Sequence, residues 1–160
     1  MSLRKSKHTT LTVEIDNSVE AVFAYFKDMR HHVDLYPLVT DIAILGQDTD
    51  SQGNDKLKVG ITEKISIGPF TFPASVMAEQ VIAKDAYQFD TYVKASPNMD
   101  VHITCRFTEL GANRMKLEET IEIVAYGFMV NMAINKTAES HETALQNLKA
   151  KMEAEKLITA

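Results

Sequence analysis

The sequence predicts an α+β fold: a curved seven-stranded antiparallel sheet wrapped around one long C-terminal helix, with two short helices after the first strand. Three observations carry that expectation. Residues 9–15 alternate apolar and polar side chains at period two. Residues 39–124 hold a succession of such segments separated by turn residues, with no helical pattern between them. After residue 127 the apolar period becomes that of a helix.

Taken in order, TTLTVEI puts Leu11, Val13 and Ile15 on one face of a half-buried strand. Asp16, Asn17 and Ser18 then offer capping oxygens, and Val19, Val22, Phe23 and Phe26 recur at helical spacing to about Lys27. A second short helix over 30–35 must end near Tyr36, because Pro37 disfavours helical geometry in the residue before it. Strands follow at 39–47, 56–67, 70–83, 86–95, 100–110 and 114–125. The polar loop 48–55, Gly68-Pro69, Lys84-Asp85, Ser96-Pro97-Asn98 and the segment 111–113 separate them. A helix over 127–155 gathers Val130, Ile134, Thr137, Ala138, His141, Ala144, Leu145, Leu148 and Met152 on one side. Asn135, Lys136, Glu139, Glu142, Lys149 and Lys151 fall on the other.

These elements imply a shape. Seven strands at ~4.8 Å spacing make a sheet about 29 Å wide, while a helix with its side chains is only about 10–12 Å across. One flat-lying helix cannot cover such a sheet. A curved sheet gripping the helix solves the mismatch, and a sheet held open by a single rod leaves room for a ligand between the two.

Composition narrows the function classes. The 160 residues, 45% hydrophobic and 24% charged, suit one globular domain over 1–160 that needs no staple. The lone Cys105 cannot form an internal bridge, and a reducing cytoplasm is the expected location. A net charge of −5 is the wrong sign for a phosphate backbone, so no nucleic-acid partner is expected. MSLRKSKHTT lacks a signal-peptide core, and no stretch approaches the ~20 apolar residues of an integral membrane segment. Without GxGxxG, P-loop, GxSxG or HExxH motifs, no cofactor is expected, and nucleotide-dependent, serine-hydrolase and zinc-protease chemistry lose their usual support.

The order strand, two short helices, six strands and long helix resembles the helix-grip fold of the START and Bet v 1-like (SRPBCC) superfamily. NSVEAVFAYFKDMRHHVDLYP is similar to that superfamily's opening helix pair and HETALQNLKAKMEAE to its closing helix. The nearest grouping is the polyketide cyclase/dehydrase and lipid-transport branch. The resemblance implies a pocket for a hydrophobic small molecule, with catalysis in some members only.

Candidate residues come from polar side chains in apolar rows. Glu63 is the only acid among Leu57, Val59, Ile61, Ile65 and Ile67, and Glu119 the only one among Met115, Leu117, Ile121 and Ile123. Facing the concave side, either carboxyl would be desolvated, with a raised pKa suited to proton transfer or to holding a ligand hydroxyl. The competing expectation is that a bulge turns them outward or that a neighbouring Lys, Arg or Tyr satisfies them. His141 sits in the apolar stripe of the last helix, aimed at the same space, where it either meets a ligand or bonds core groups. Phe26, Tyr36, Phe70, Phe72, Phe89, Phe107 and Phe128 can together line one enclosed space, with Val130 and Ile134 from the helix, or serve as ordinary core. Eight methionines, Met129 and Met132 among them, supply adaptable walls.

Other residues read as structural. His31, His32 and Asp34 have metal-binding types, but adjacent histidines diverge on a helix, so exposed helix-end roles and no metal site are expected. Arg106 belongs to a solvent face and Cys105 to the core. No residue is designated catalytic. The expected function is therefore binding, with possible roles in transport or sequestration, of a small hydrophobic molecule such as a lipid, isoprenoid or aromatic polyketide-like compound. The alternatives are a cyclase/dehydratase-type enzyme using a buried carboxylate with His141, and a protein interaction module. Monomer and dimer both remain open.

Overall fold

The computed structural model describes residues 3–67, 69–95 and 98–159, with the side chains of Ile67 and Thr159 left aside. Gly68, Ser96 and Pro97, expected in turns, lie outside the described residues. Strand β1 (Arg4–Ile15) leads to helix α1 (Val19–Lys27), a 3₁₀ turn (Met29–His31) and helix α2 (His32–Leu35). The strands β2 (Val39–Thr49), β3 (Asp55–Ile67), β4 (Phe70–Ala83), β5 (Gln88–Ala95), β6 (Met99–Gly111) and β7 (Arg114–Tyr126) follow, and helix α3 (Gly127–Thr159) closes the chain.

The strands form one antiparallel sheet in the order β1-β7-β6-β5-β4-β3-β2, a meander whose first strand joins the last. β1 begins five residues earlier than the apolar alternation marks, because its polar start pairs with β7 as far as Arg4 opposite Tyr126. The second helix divides at His32, its first turn tightening to 3₁₀ form. α3 continues past its last apolar contact, Met152, into exposed Leu157 and Ile158.

Local chemistry accounts for the breaks. Ser18 caps α1, its hydroxyl accepting from the Ala21 N–H at 3.2 Å. Asp50 closes the β2–β3 loop by accepting from the Gln52 and Asn54 N–H groups, and Gly53 supplies the positive φ of 83° that the turn requires. Register shifts between Val39 and Asp41 and between Ile44 and Gly46 in β2, and at Glu109–Gly111 in β6, mark the irregularities that bend strands.

The sheet's inner face is read most clearly from β7, where Met115, Leu117, Glu119, Ile121, Ile123 and Ala125 are fully buried while their neighbours are not. α3 packs on β1, β7 and α2, with Val130, Ile134, Ala144, Leu145, Leu148 and Met152 buried along its stripe. α1 closes β6 and β7 through an aromatic cluster. Phe23 meets Phe107 edge to face at 5.1 Å, and Phe26 contacts both Phe89 at 5.6 Å and Phe107 at 5.5 Å.

Candidate functional site

These contacts divide the inner face into two parts. Under α1 it is sealed by Phe23, Phe26, Phe89 and Phe107, each at most 4% exposed. Toward the other end, beyond β7's contact with α3, Ile61 and Glu63 of β3, Val76 of β4, Val93 of β5 and Val101 of β6 keep partial exposure on the same face. Across from them α3 presents Thr137, Ala138 and His141, also half-buried. The inner face is therefore incompletely covered toward the end where β7 turns into α3.

Polar side chains collect between the sealed and open parts. Glu119, completely buried on β7, binds His141 Nδ1 through Oε1, and its Oε2 accepts from Cys105 Sγ at 3.5 Å. His141 stands edge-on to the Tyr36 ring at 5.0 Å, and Tyr36 stacks at 5.3 Å on His32. Three of these groups come from helices or their ends and two from adjacent strands, so the meander, the early helix pair and α3 together assemble the cluster.

Its electrostatics follow from burial and proximity. Burial opposes a charged His141, but the charge and hydrogen bond of Glu119, with Glu63 adding to them, outweigh it and hold the imidazole pKa above its usual value. Burial raises the Glu63 carboxyl, and the nearby His141 only partly offsets this. Tyr36 and Cys105 are pushed well above their ordinary ranges, first by burial and then by the Glu119 charge. The thiol is therefore a neutral donor and no nucleophile.

His32 corrects an expectation. It is 5% exposed, its Nε2 bonded to the Phe26 carbonyl at 2.8 Å, and burial lowers its pKa to about 4. His31 is likewise engaged, through Nδ1 to the Tyr25 carbonyl at 2.8 Å and by stacking on Tyr25. Both rings fold back on α1, since the tight turn at Asp28 brings its carbonyls within reach. Among the described residues no group of three His, Cys, Asp or Glu is arranged for a metal ion.

The aromatic residues also part company. Phe26, Phe89 and Phe107 belong to the packed cluster under α1, and Tyr36 to the polar belt. Phe72, on the inner face but 42% exposed, and the still more exposed Phe70 and Phe128 correct the expectation of an enclosed aromatic lining. β4 pairs with β5 only from Ala78 onward, so the β3–β4 hairpin that carries Phe70 and Phe72 projects past the sheet. Val130 and Ile134 are buried in the α3 stripe, Arg106 is exposed and Cys105 buried. A groove of about 540 Å³ opens on the outer face where β4 leaves β5, between Lys58, Met77, Tyr92, Lys94, His102 and Glu122. It includes none of the ten expected binding residues.

Two buried polar residues, Gln80 and Thr91, were not among those expected from the sequence. Gln80 of β4 is 1% exposed, its Nε2 lies 2.8 Å from Met29 Sδ, and its Oε1 has no hydrogen-bond partner among the described residues. The signal was the one that marked the two glutamates: Gln80 is the only polar side chain in the inward row Val76, Ala78, Gln80, Ile82.

Known proteins with this arrangement are numerous among solved structures. A START superfamily protein from Mycobacterium smegmatis superposes with a TM-score of 0.70 at 17% identity, over 92% of this chain and 97% of that one. The Zhui aromatase/cyclase from Streptomyces sp. R1128 gives 0.69 at 15% identity, over 93% and 94%. Norcoclaurine synthase from Thalictrum flavum, solved with dopamine and hydroxybenzaldehyde, gives 0.65 at 12% identity, over 95% and 88%. At such identities the likeness is one of fold. No curated protein matches the sequence. The family model described as polyketide cyclase / dehydrase and lipid transport matches residues 6–153, nearly the whole chain. With its helix-grip fold, the chain belongs to the polyketide cyclase/dehydrase and lipid-transport family of the START-like superfamily.

Proposed function

We propose that the protein binds a small hydrophobic molecule in the cleft between the inner face of β3–β6 and helix α3, for carriage or sequestration in the cytoplasm. The observation that carries this reading is the half-exposed apolar wall of Ile61, Val76, Val93 and Val101 on the inner face, with Glu63 beside it and the Glu119–His141 pair deeper in. Burying apolar ligand surface there supplies about 25 cal/mol per Å². His141 and Glu63 orient the ligand's polar end. The family supports the same class of ligand, a lipid, isoprenoid or aromatic polyketide-like compound, and the acidic net charge supports a partner other than nucleic acid.

Native mass spectrometry of freshly purified protein, followed by thermal-shift measurements across a library of apolar compounds, tests the proposal. A retained apolar molecule or a raised melting temperature with several related compounds is expected. An empty protein that no compound stabilises would overturn the reading.

A second reading, an acid/base enzyme of the cyclase/dehydratase type, is favoured by the direct Glu119–His141 contact. With Nδ1 engaged by the carboxylate, Nε2 is the nitrogen left to exchange a proton with a ligand. Turnover of an enolisable aromatic or polyketide-like substrate that disappears in His141→Gln while binding persists would favour the enzyme over the carrier.

A further inference from the structure

We infer that Gln80 reads a hydrogen-bond donor on the guest, so that the protein selects hydroxylated apolar molecules over equally large molecules without a donor. The inference rests on the binding reading above and specifies its ligand.

The side chain is costly where it stands. A buried amide oxygen without a partner forfeits the hydrogen bonds it made to water, and such orphans are rare in folded proteins. The position calls for no amide on packing grounds. Its inward neighbours along β4, Ala78 and Ile82, are apolar, and a methionine would occupy the same length. The Nε2 end is directed at Met29 Sδ, which fixes Oε1 as the end without a partner. Directly across the ladder Thr91 of β5, also buried, adds a hydroxyl on the same face. One step along β4 toward the open end lies Ala78, a small side chain and itself buried.

An unpaired acceptor calls for a donor. The guest class that satisfies it is an otherwise apolar compound carrying a hydroxyl or N–H, its donor on Gln80 Oε1. Gln80 is one inward position nearer the mouth than the Glu119 row, because Thr91 pairs with Ile103, and Ile103 with Ile121, two residues on from Glu119. Glu63, opposite Ala74 on β4, lies three inward positions nearer the mouth than Gln80, so it and His141 touch other parts of the same guest. Gln80 is a binding residue that sets specificity, and the inference includes no chemical step.

The test compares 2-naphthol with 2-methoxynaphthalene, which share a ring system and differ in the donor. Binding to the full chain is measured by titration calorimetry, with wild type, Gln80→Met and Gln80→Glu. Wild type is expected to prefer 2-naphthol by on the order of tenfold, the scale of one hydrogen bond. Gln80→Met loses the preference without losing 2-methoxynaphthalene, and Gln80→Glu, which keeps an acceptor, retains it. The melting temperature of ligand-free Gln80→Met is expected to equal or exceed that of wild type. Equal binding of the two probes by wild type, or a preference that survives in Gln80→Met, would overturn this inference and leave the carrier reading standing. A melting temperature lowered by several degrees in Gln80→Met would overturn it too, by showing that a resident water already satisfies Oε1. If wild type takes up neither probe the inference falls, and if no library compound binds either, the carrier reading falls with it.

Discussion

His141, halfway along α3, meets the fully buried carboxylate of Glu119 on β7 and so ties the helix to the inner face of the sheet. Removing one partner strands the other. His141→Leu is expected to destabilise the protein by about 3–5 kcal/mol, and Glu119→Leu by a similar amount. The double variant should lose much less than the two together, since no unpaired group remains. Urea denaturation of all four proteins at pH 7 measures the coupling, and simple additivity would show that the pair is energetically independent.

Two histidines titrate with opposite consequences. The folded state holds His32 neutral down to a pKa of about 4, against 6.5 for the ordinary side chain. Its contribution is therefore complete above pH 6.5 and declines as pH falls from 6.5 toward 4, by about 3 kcal/mol in all. His141 is raised above 6.5, so its contribution is complete below pH 6.5 and is lost as pH rises through the folded-state value. Stability should peak near pH 6.5, with His32→Gln flattening the acid side and His141→Gln the alkaline side. An unchanged acid limb in His32→Gln, measured by denaturant titration between pH 4 and 9, would refute the assignment.

Cys105 should be chemically silent. It is 1% exposed and its thiol is held protonated, first by burial and then by the Glu119 charge. A thiol reagent at pH 8 is expected to label the native protein only as fast as it opens, and the unfolded protein at once. Rapid labelling without denaturant would contradict the geometry.

The helix pair that seals one half of the inner face rests on small terms as well as large ones. Ser18→Ala, which removes the cap on Ala21, is expected to cost about 1 kcal/mol. Phe26→Ala, which opens the contacts with Phe89 and Phe107, should cost about 3–5 kcal/mol. Thermal melts of the two variants distinguish a local cap from a core loss.

The features readable from the sequence were those with a period. The β7 row and the α3 stripe alternate so regularly that the inward positions of Glu119 and His141 follow from counting alone. What escaped depends on contacts between elements with no periodic relation. The burial of His32 is made by the Phe26 carbonyl, six residues away across the turn at Asp28. The exposure of Phe72 arises because β4 outruns β5, a matter of ladder length that alternation does not encode. Gln80 carried the signal but its missing partner is visible only in three dimensions.

The joining of the first strand to the last has a bearing on biosynthesis. Arg4 stands opposite Tyr126 and Ile15 opposite Met115, so this ladder closes a loop of about a hundred residues or more. Long-range pairing of that kind slows folding, typically into the millisecond-to-second range. During translation β1 emerges early and must wait, unpaired, until β7 leaves the ribosome, and only then does α3 have a seat.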